Sequence, residues 1–340
     1  MSLRIHHCKG RGGAMRRKIL ACLLTAICGA VISPAGAQEK VVLKVGMLGT
    51  TEYFYYKGAK RMADLAAERS KGRLELQLFP NQGLGNERDM IEGMQLGTVD
   101  MAIINTPLLA SFEPRFMLFD MPFMFNDWNH VNKVLSGQVG QELMKALEPK
   151  GLKAFAFSTA GFRHVINQRR EVRTPDDLKG LKIRTLDNPV HVAIMNAMGA
   201  NATPMQYGEV MTALRQKTID GLDFQLGSTA TEKMYEVNKY MALTGHVFTG
   251  VIYLASLKRF NALPADLQKT LSEAAVAGAN TETELFNKFE QDARSILEKN
   301  GMKVVDVDKA PFRARTTSVY QTFQDRVGKN LIEMARKLGQ

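Results

Sequence analysis

The chain has 340 residues, of which 45% are hydrophobic and 23% are charged, and its formal net charge is +11. The composition excludes a disordered or fibrous chain, and the length allows two domains, because one domain usually takes about 100–200 residues. Taken alone, the positive charge favours an acidic partner such as a nucleic acid.

The first 37 residues have the pattern of a targeting segment. They contain six Lys or Arg residues and no acid, then an apolar run over residues 19–32 and an Ala-Gly-Ala sequence that ends at Ala37. A basic head, an apolar centre too short to span a bilayer and an A-x-A end predict a signal peptide over residues 1–37, cleaved between Ala37 and Gln38. The protein is therefore expected in the periplasm, with translation starting at Met1 or Met15.

Removal of this segment changes what the composition means. All three cysteines, Cys8, Cys22 and Cys28, lie within it, so the processed chain would contain no thiol and would carry a net charge of +5. A lipid-anchor signal is disfavoured, because Leu20 before Cys22 and Ile27 before Cys28 are too bulky for positions where such a signal requires small residues. No block of Lys and Arg with interleaved aromatic residues remains, so we expect no nucleic-acid partner.

The chain then alternates strand-like and helix-like segments. Strands are expected at residues 41–47, 74–79 and 99–104, and a helix at 56–70. Asn86 is the expected N-cap of a second helix, and Gly97 is its expected C-terminal cap. This βαβ rhythm predicts an α/β protein with a largely parallel sheet.

The second half of the chain repeats this pattern. Strands are expected at residues 152–158, 181–184, 241–255 and 302–307, and helices at 208–216, 265–298 and 314–338. The helix and strand on either side of Asp220 are similar to those around Asp100, which predicts two similarly built lobes. The helix at 265–298 is long enough to cross from one lobe to the other.

Sequence motifs for catalysis are lacking. The chain has no GxSxG, HExxH or Walker motif and no usable GxGxxG. The four histidines after residue 37 stand apart, with no carboxylate cluster nearby in the sequence; they are His130, His164, His191 and His246. We therefore expect a protein that is not an enzyme and that uses no cofactor and no metal.

Two arginines are more informative. Arg184 ends the expected strand at 181–184, and Arg163 follows the expected strand at 152–158. In open α/β sheets ligands bind beyond the carboxyl ends of strands, and a guanidinium group binds a planar carboxylate through two hydrogen bonds. A solvated or surface-paired arginine is the alternative, and the pattern by itself leaves both interpretations open.

Five longer stretches carry a resemblance to a known family. They are FPNQGLGNERDMIEGMQLGTVDMA, DMPFMFNDW, STAGFRHVINQRREVRTPDDLKGLKIRTLDNPV, MGANATPMQYGEVMTALRQKTIDG and FNALPADLQK. In this order and behind a signal peptide, the chain resembles the DctP-type solute-binding proteins of tripartite ATP-independent periplasmic (TRAP) transporters. The resemblance implies a periplasmic binding protein-like α/β fold, with two α/β lobes around a central cleft and a long interlobe helix. Lobe I would comprise residues 38–160 and 249–288, and lobe II residues 161–248 and 289–340.

The resemblance also implies a function and a site. Such proteins bind an organic acid between their lobes and deliver it to a membrane permease that an ion gradient drives. Arg184, in LKIRTLDN, matches the arginine that pairs with the ligand carboxylate, and Arg163, in GFRHVIN, matches a second arginine of the cleft. Tyr207, in MQYGEV, matches an aromatic residue that packs over the ligand. The remaining expected lining residues are Glu87, Asn105 and, in the loop at 49–54 that follows the first strand, Tyr53.

The chain departs from the family pattern in two places. Where many relatives have Gln-Glu-Asn, it has Leu222-Asp223-Phe224, so a carboxylate-binding asparagine is absent and Phe224 joins the expected wall of the site. An acid followed by an aromatic residue is similar to the branch that binds 2-oxo acids with a cation, which makes Asp223 an expected ligand contact and a candidate cation contact. Lys217 stands where relatives usually have the glycine that ends a helix.

Together these observations predict a monomeric periplasmic binding protein that holds a small-molecule carboxylate through Arg184, supported by Arg163. An aromatic acid, a small hydroxy or oxo acid, a sugar acid and a dicarboxylate all stay open as ligands. Two other functions also stay open: presentation of the ligand to a membrane sensor, and a secreted hydrolase or lyase on the same scaffold.

Overall fold

A computed structural model of the chain describes residues 40–340, and the predicted signal peptide lies outside the described residues. The described residues form one mixed sheet of nine strands. In chain order the strands are β1 (Val41–Gly46), β2 (Leu74–Phe79), β3 (Met101–Asn105), β4 (Leu152–Asn167), β5 (Lys182–Thr185), β6 (Asn201–Pro204), β7 (Gly221–Gln225), β8 (Tyr240–Ser256) and β9 (Lys303–Val305).

Helices cover both faces of this sheet. They are α1 (Phe54–Arg69), α2 (Glu87–Leu96), α3 (Trp128–Ser136), α4 (Gln138–Lys145), α5 (Pro189–Ala197), α6 (Tyr207–Arg215), α7 (Leu226–Thr231), α8 (Leu257–Asn261), α9 (Ala265–Lys299), α10 (Lys309–Arg315), α11 (Thr317–Val327) and α12 (Lys329–Lys337). Short 3-10 helices lie at Thr106–Ser111, Pro114–Leu118, Glu148–Lys150, Pro175–Leu178 and Met234–Glu236. Among residues 40–340, no helix combines the length and the apolar character needed to cross a membrane.

The strand order is β2-β1-β3-β8-β4-β7-β5-β6, with β9 beside β8. β1 pairs in parallel with β2 and β3, and β5 pairs in parallel with β6 and β7. Between these two groups, β8 and β4 run antiparallel to each other and to their outer neighbours β3 and β7. The α/β class is confirmed, but the sheet is less parallel than expected because its two long central strands pair antiparallel.

Three apolar clusters surround this sheet. One lies between α1, β1 to β3 and the first half of α9, where Leu271 is fully buried, and another packs α6 and β7 against the end of α9 at Leu297. The third joins Phe116, which follows β3, to Ile194 of α5 and Phe323 of α11. The final helices therefore contact segments that the sequence assigned to different lobes, and the exact lobe boundaries stay a prediction.

Helix α2 shows how local sequence places one side chain at the site. The Asn86 side chain accepts a hydrogen bond from the backbone of Asp89 at 3.0 Å, and the Asp89 carboxylate accepts one from the backbone of Asn86 at 3.0 Å. Gly97 ends the helix in the left-handed conformation, with φ 81°. Both caps confirm the sequence prediction. The cap at Asn86 fixes the helix start, and Glu87 in its first turn is buried.

Strand β4 differs from its prediction in a way that matters for the site. It continues to Asn167 rather than ending near residue 158, through three register shifts against β8. At one of these shifts Gly161 has φ 98°, and a Cβ there would lie 2.5 Å from the Phe286 ring. Arg163 therefore lies within a long bulged strand, where it pairs with Val247, and not in a loop beyond a strand end.

Candidate functional site

A narrow cavity of about 40 Å³ lies where β1, β3, β5 and β7 reach their carboxyl ends. Ligands of open α/β sheets bind at such edges, because the loops that follow the strands converge there. Seven of the eight residues expected to bind ligand line this cavity; they are Tyr53, Glu87, Asn105, Arg163, Arg184, Tyr207 and Phe224. Asp223 is the exception.

Arg184 is a buried cation with unused donors. Its side chain is almost completely buried, and its Nε and Nη2 atoms donate to the Met205 carbonyl at 3.0 and 2.7 Å. Of its five N–H groups three have no protein acceptor among residues 40–340, and within that range Arg184 forms no ion pair. Burial, reinforced by repulsion from Arg163, lowers the pKa of Arg184 to about 10. A cavity with this lining favours an anion.

Arg163, in contrast, already has an acid. Its Nε donates to Asp223 Oδ2 at 2.8 Å, and its Nη2 donates to Asp223 Oδ1 at 3.0 Å and also to the Asp223 carbonyl. A weaker bond of 3.4 Å joins Nη1 to the Thr249 hydroxyl, which leaves one N–H group of Arg163 for a ligand. Arg163 is therefore largely neutralised by the protein, and Arg184 is the stronger anion-binding group.

Asp223 lies behind Arg163 and does not reach the cavity. It is completely buried, and neighbouring residues of a strand point to opposite faces, so Phe224 can face the cavity only if Asp223 faces away. Within residues 40–340 no group of three acidic, histidine or cysteine side chains is arranged to hold a metal ion. The structure thus gives Asp223 an arginine partner in place of the expected direct contact with ligand or cation.

Histidines surround this carboxylate, which the sequence did not indicate. His191 Nδ1 lies 3.2 Å from Asp223 Oδ2, and its Nε2 lies 3.1 Å from Asp120 Oδ1. His246 Nε2 is 3.7 Å from the same Asp223 oxygen. His191 and His246 lie far from these carboxylates in the sequence, but β7, β8 and α5 bring them together in the fold. Burial alone would raise the pKa of Asp223, but Arg163 and these histidines hold it well below its usual value.

Aromatic residues form one wall of the cavity. The rings of Tyr207 and Phe224 are stacked, with centroids 5.9 Å apart and an interplanar angle of 18°. The Tyr53 and Ser228 hydroxyls are 2.7 Å apart, and the Tyr55 hydroxyl donates to Asn105 Oδ1 at 2.7 Å. These hydroxyls are already bonded, so this side of the cavity offers mainly ring surface to a ligand.

Buried hydrogen-bond acceptors give another part of the cavity a polar character. Glu87 Oε1 accepts bonds from the Asn105 backbone and side chain at 2.6 and 3.0 Å, and burial raises the pKa of Glu87 to about 7. Gln225 Oε1 and Glu232 Oε1 are buried without a partner among the described residues, and burial raises the pKa of Glu232. Such acceptors suit hydroxyl groups of a ligand.

Sequence reasoning missed six polar lining residues, which are Tyr55, Gln82, Asp187, Gln206, Gln225 and Glu232. Two of them had a usable signal. Gln225 directly follows Phe224 at the end of β7, and Asp187 lies three positions beyond Arg184, so both follow strands whose ends were expected to reach the site. Gln82 and Glu232 lie in connections with no such signal.

Comparisons with known proteins agree with this architecture. Residues 45–326 match the family described as bacterial extracellular solute-binding protein, family 7 (DctP). A curated relative is the 2,3-diketo-L-gulonate-binding periplasmic protein YiaO of Escherichia coli, which is 38% identical over 255 residues, 75% of this chain and 78% of its own.

Two crystal structures are also similar. A TRAP periplasmic solute-binding protein from Polaromonas sp. JS666, bound to D-erythronate, is 34% identical with a TM-score of 0.85 and covers 87% of this chain and 98% of its own. The sugar acid binding protein DctPAm from Advenella mimigardefordensis, in complex with galactonate, is 28% identical with a TM-score of 0.85. The match covers 88% of this chain and 98% of the DctPAm chain. The predicted two-lobed, periplasmic binding protein-like class is confirmed. The structural neighbours of this chain are TRAP periplasmic solute-binding proteins. The chain belongs to the DctP family of bacterial extracellular solute-binding proteins.

Proposed function

We propose that this protein is the periplasmic subunit of a TRAP transporter that binds an organic acid through its carboxylate and is not an enzyme. One observation carries the proposal: Arg184 is buried in the cavity, has three free N–H groups and has no acid partner among residues 40–340. A buried, unpaired cation is costly unless an anion compensates it. A ligand carboxylate supplies that anion.

The free donors define how the carboxylate is held. The guanidinium fork of Arg184 can bind both carboxylate oxygens, while the remaining N–H of Arg163 supports the same group from a second direction. Each charge-assisted hydrogen bond contributes on the order of 1.5–3 kcal/mol. Tyr207 and Phe224 pack against the apolar face of the ligand.

The rest of the cavity favours a hydroxylated acid. A dicarboxylate would need a second uncompensated cation, but Asp223 already neutralises Arg163. Glu87, Gln225 and Glu232 instead offer acceptors to hydroxyl groups. Among the classes left open by the sequence, a hydroxy acid or sugar acid therefore fits best, as the ligands named for the Escherichia coli, Polaromonas and Advenella proteins also suggest.

Delivery to a membrane permease driven by an ion gradient is the transport step we propose. Presentation of the ligand to a membrane sensor uses the same cavity. Deletion of the permease genes distinguishes transport from presentation to a sensor. Loss of uptake of the cognate acid supports transport, whereas intact uptake with loss of a transcriptional response supports sensing.

A thermal-shift screen of organic acids tests the binding function. We expect hydroxy and sugar acids such as D-erythronate and galactonate to raise the melting temperature, and the corresponding alcohols, which lack the carboxylate, to have no effect. Mass spectrometry should recover the bound acid unchanged. Absence of any shift across the acids refutes the proposal, and conversion of the acid would instead favour the hydrolase or lyase.

A further inference from the structure

His191 of helix α5 lies between two carboxylates in a fully buried position. Its Nε2 is 3.1 Å from Asp120 Oδ1, and its Nδ1 is 3.2 Å from Asp223 Oδ2. The exposed fraction is 1% for His191 and 0% for both aspartates. His191 does not line the cavity. Its connection to the site runs through Asp223 to Arg163.

The geometry constrains the protons on this ring. A neutral imidazole has one donor nitrogen and one acceptor nitrogen, whereas an ionised carboxylate can only accept. If His191 were neutral, one of its nitrogens would face a carboxylate oxygen with no proton between them, which is unfavourable in a buried site. Both contacts are satisfied when His191 carries a proton on each nitrogen.

We propose that His191 is a buried imidazolium that holds Asp223, and through it Arg163, in the orientation that leaves one Arg163 N–H free for the ligand. His191 is thus a positioning residue and not a ligand contact. Burial by itself would lower the pKa of His191, but the bonds to Asp120 and Asp223 outweigh burial and raise it.

Asp120 is itself held firmly. Its second oxygen, Oδ2, accepts a bond of 2.8 Å from the Asn188 side chain, which also donates to the Pro107 carbonyl at 2.9 Å. The Asn188 side-chain oxygen, Oδ1, caps α5 by accepting from the backbone N–H of Val190 at 2.8 Å. The segment that follows β3 is therefore tied to the start of α5, and His191 extends this connection to β7.

The charges that face His191 balance. Asp120 and Asp223 are negative, and His191 and Arg163 are positive. His246, from β8, also approaches Asp223, but burial lowers the pKa of His246, which leaves it neutral. The group as a whole is then uncharged, and Arg184 remains the uncompensated cation. Loss of the His191 proton would leave a net negative charge directly behind Arg163 and weaken the attraction for an anion.

The protonation state can be tested without any ligand. In full-length processed protein with ¹⁵N-labelled histidine, the His191 signals are identified by their loss in His191→Gln. We expect both ring nitrogens to be protonated at pH 7.5, where an ordinary histidine with a pKa of about 6.5 is mostly neutral. A neutral tautomer of His191 at pH 7.5 overturns the proposal, and this result depends only on the wild-type spectrum.

The Asp120→Asn variant tests the cause of the raised pKa. With one carboxylate removed, His191 should titrate about one to three pH units lower than in the wild type. An unchanged His191 titration in folded Asp120→Asn contradicts the proposed role of Asp120. If Asp120→Asn does not fold, the wild-type spectrum still decides the protonation state.

The positioning role rests on the proposed binding function and is tested with D-erythronate and galactonate as probes. Calorimetry of His191→Gln should show about tenfold weaker binding than wild type, since one charge-assisted bond corresponds to about that factor. Above about pH 7, where Glu87 is already ionised, the further fall in wild-type affinity that accompanies loss of the His191 proton should be absent in His191→Gln. Equal affinity and an equal pH profile in both proteins would refute the role.

A matched control is His130→Gln. His130 is another buried histidine, but its Nε2 lies 2.7 Å from the Ala335 carbonyl and it does not line the cavity. Its replacement should leave affinity and its pH profile unchanged, and a change of the same size as in His191→Gln would count against a specific role of His191. If no acid binds the wild type, the binding function fails while the spectroscopic result for His191 still stands.

Discussion

Replacement of Arg184 by methionine is the most direct perturbation of the site. Methionine is unbranched and flexible, so it can occupy the space of the arginine stem without the guanidinium group. The variant removes three N–H groups that have no protein acceptor among residues 40–340 and two that bond the Met205 carbonyl. Binding and ligand-free stability are therefore expected to respond differently.

The two effects can be estimated from the same contacts. Without Arg184 the ligand carboxylate would be buried with one remaining donor from Arg163, at a cost of about 3–5 kcal/mol, which corresponds to roughly 100- to 5,000-fold weaker binding. In the ligand-free protein, loss of the bonds to Met205 is offset by removal of a buried, unpaired charge. The free energy of unfolding should therefore change by no more than about 2 kcal/mol.

Calorimetric titration with the acid that gives the largest thermal shift measures the binding term, and denaturant unfolding of the ligand-free variant measures the stability term. Arg61→Met, at an exposed arginine of α1, is the control and should change neither. Affinity of Arg184→Met within about threefold of wild type would refute the assignment of Arg184. A ligand-free variant that fails to fold would show instead that Arg184 is a structural residue.

Three further predictions concern Glu87, Glu282 and Lys217. Because the pKa of Glu87 is about 7, affinity for an anion should fall as the pH rises through 7 and Glu87 ionises. Calorimetry of Glu87→Gln should show no fall near pH 7, and a fall retained in this variant would contradict the role of Glu87. Buried Glu282 of α9 has a pKa raised to about 8 by burial, so the native state keeps a proton that the unfolded chain loses near pH 4.3. Stability should fall across that window, and denaturant unfolding should show Glu282→Gln gaining on the order of 3–5 kcal/mol over wild type between pH 4 and pH 9; an equal difference at both pH values rejects this. Lys217 has φ 58° after α6, so Lys217→Gly should raise the free energy of unfolding by about 1 kcal/mol, and a decrease would show that the lysine makes a compensating contact.

Local signals predicted local structure well. The N-cap at Asn86 and the left-handed Gly97 are set by residues a few positions apart, so the sequence is sufficient to indicate them. Helix α5 shows a signal that was available but not used. Asn188 caps it and Pro189 occupies its first turn, a combination that typically starts a helix.

The site was predictable only in part. Arg184 was indicated by its place at a strand end and by the resemblance, and Tyr207 by the resemblance alone; both line the cavity. The pairing of Arg163 with Asp223 joins residues 60 positions apart, and that of His191 with Asp120 joins residues 71 apart. A single sequence contains no record of which distant residues touch, so neither the neutralisation of Arg163 nor the burial of His191 could be inferred from it.

The long central strands have a consequence for how the protein unfolds. β4 and β8 pair with each other, and each also pairs with one outer strand: β4 with β7 and β8 with β3. Helix α9 packs into a different apolar cluster at each of its ends. Neither half can lose its structure without removing strand partners and apolar contacts from the other. Two lobes should therefore melt in one cooperative transition, and a ligand bound in the small cavity should stabilise all of it by RT ln(1 + [L]/Kd).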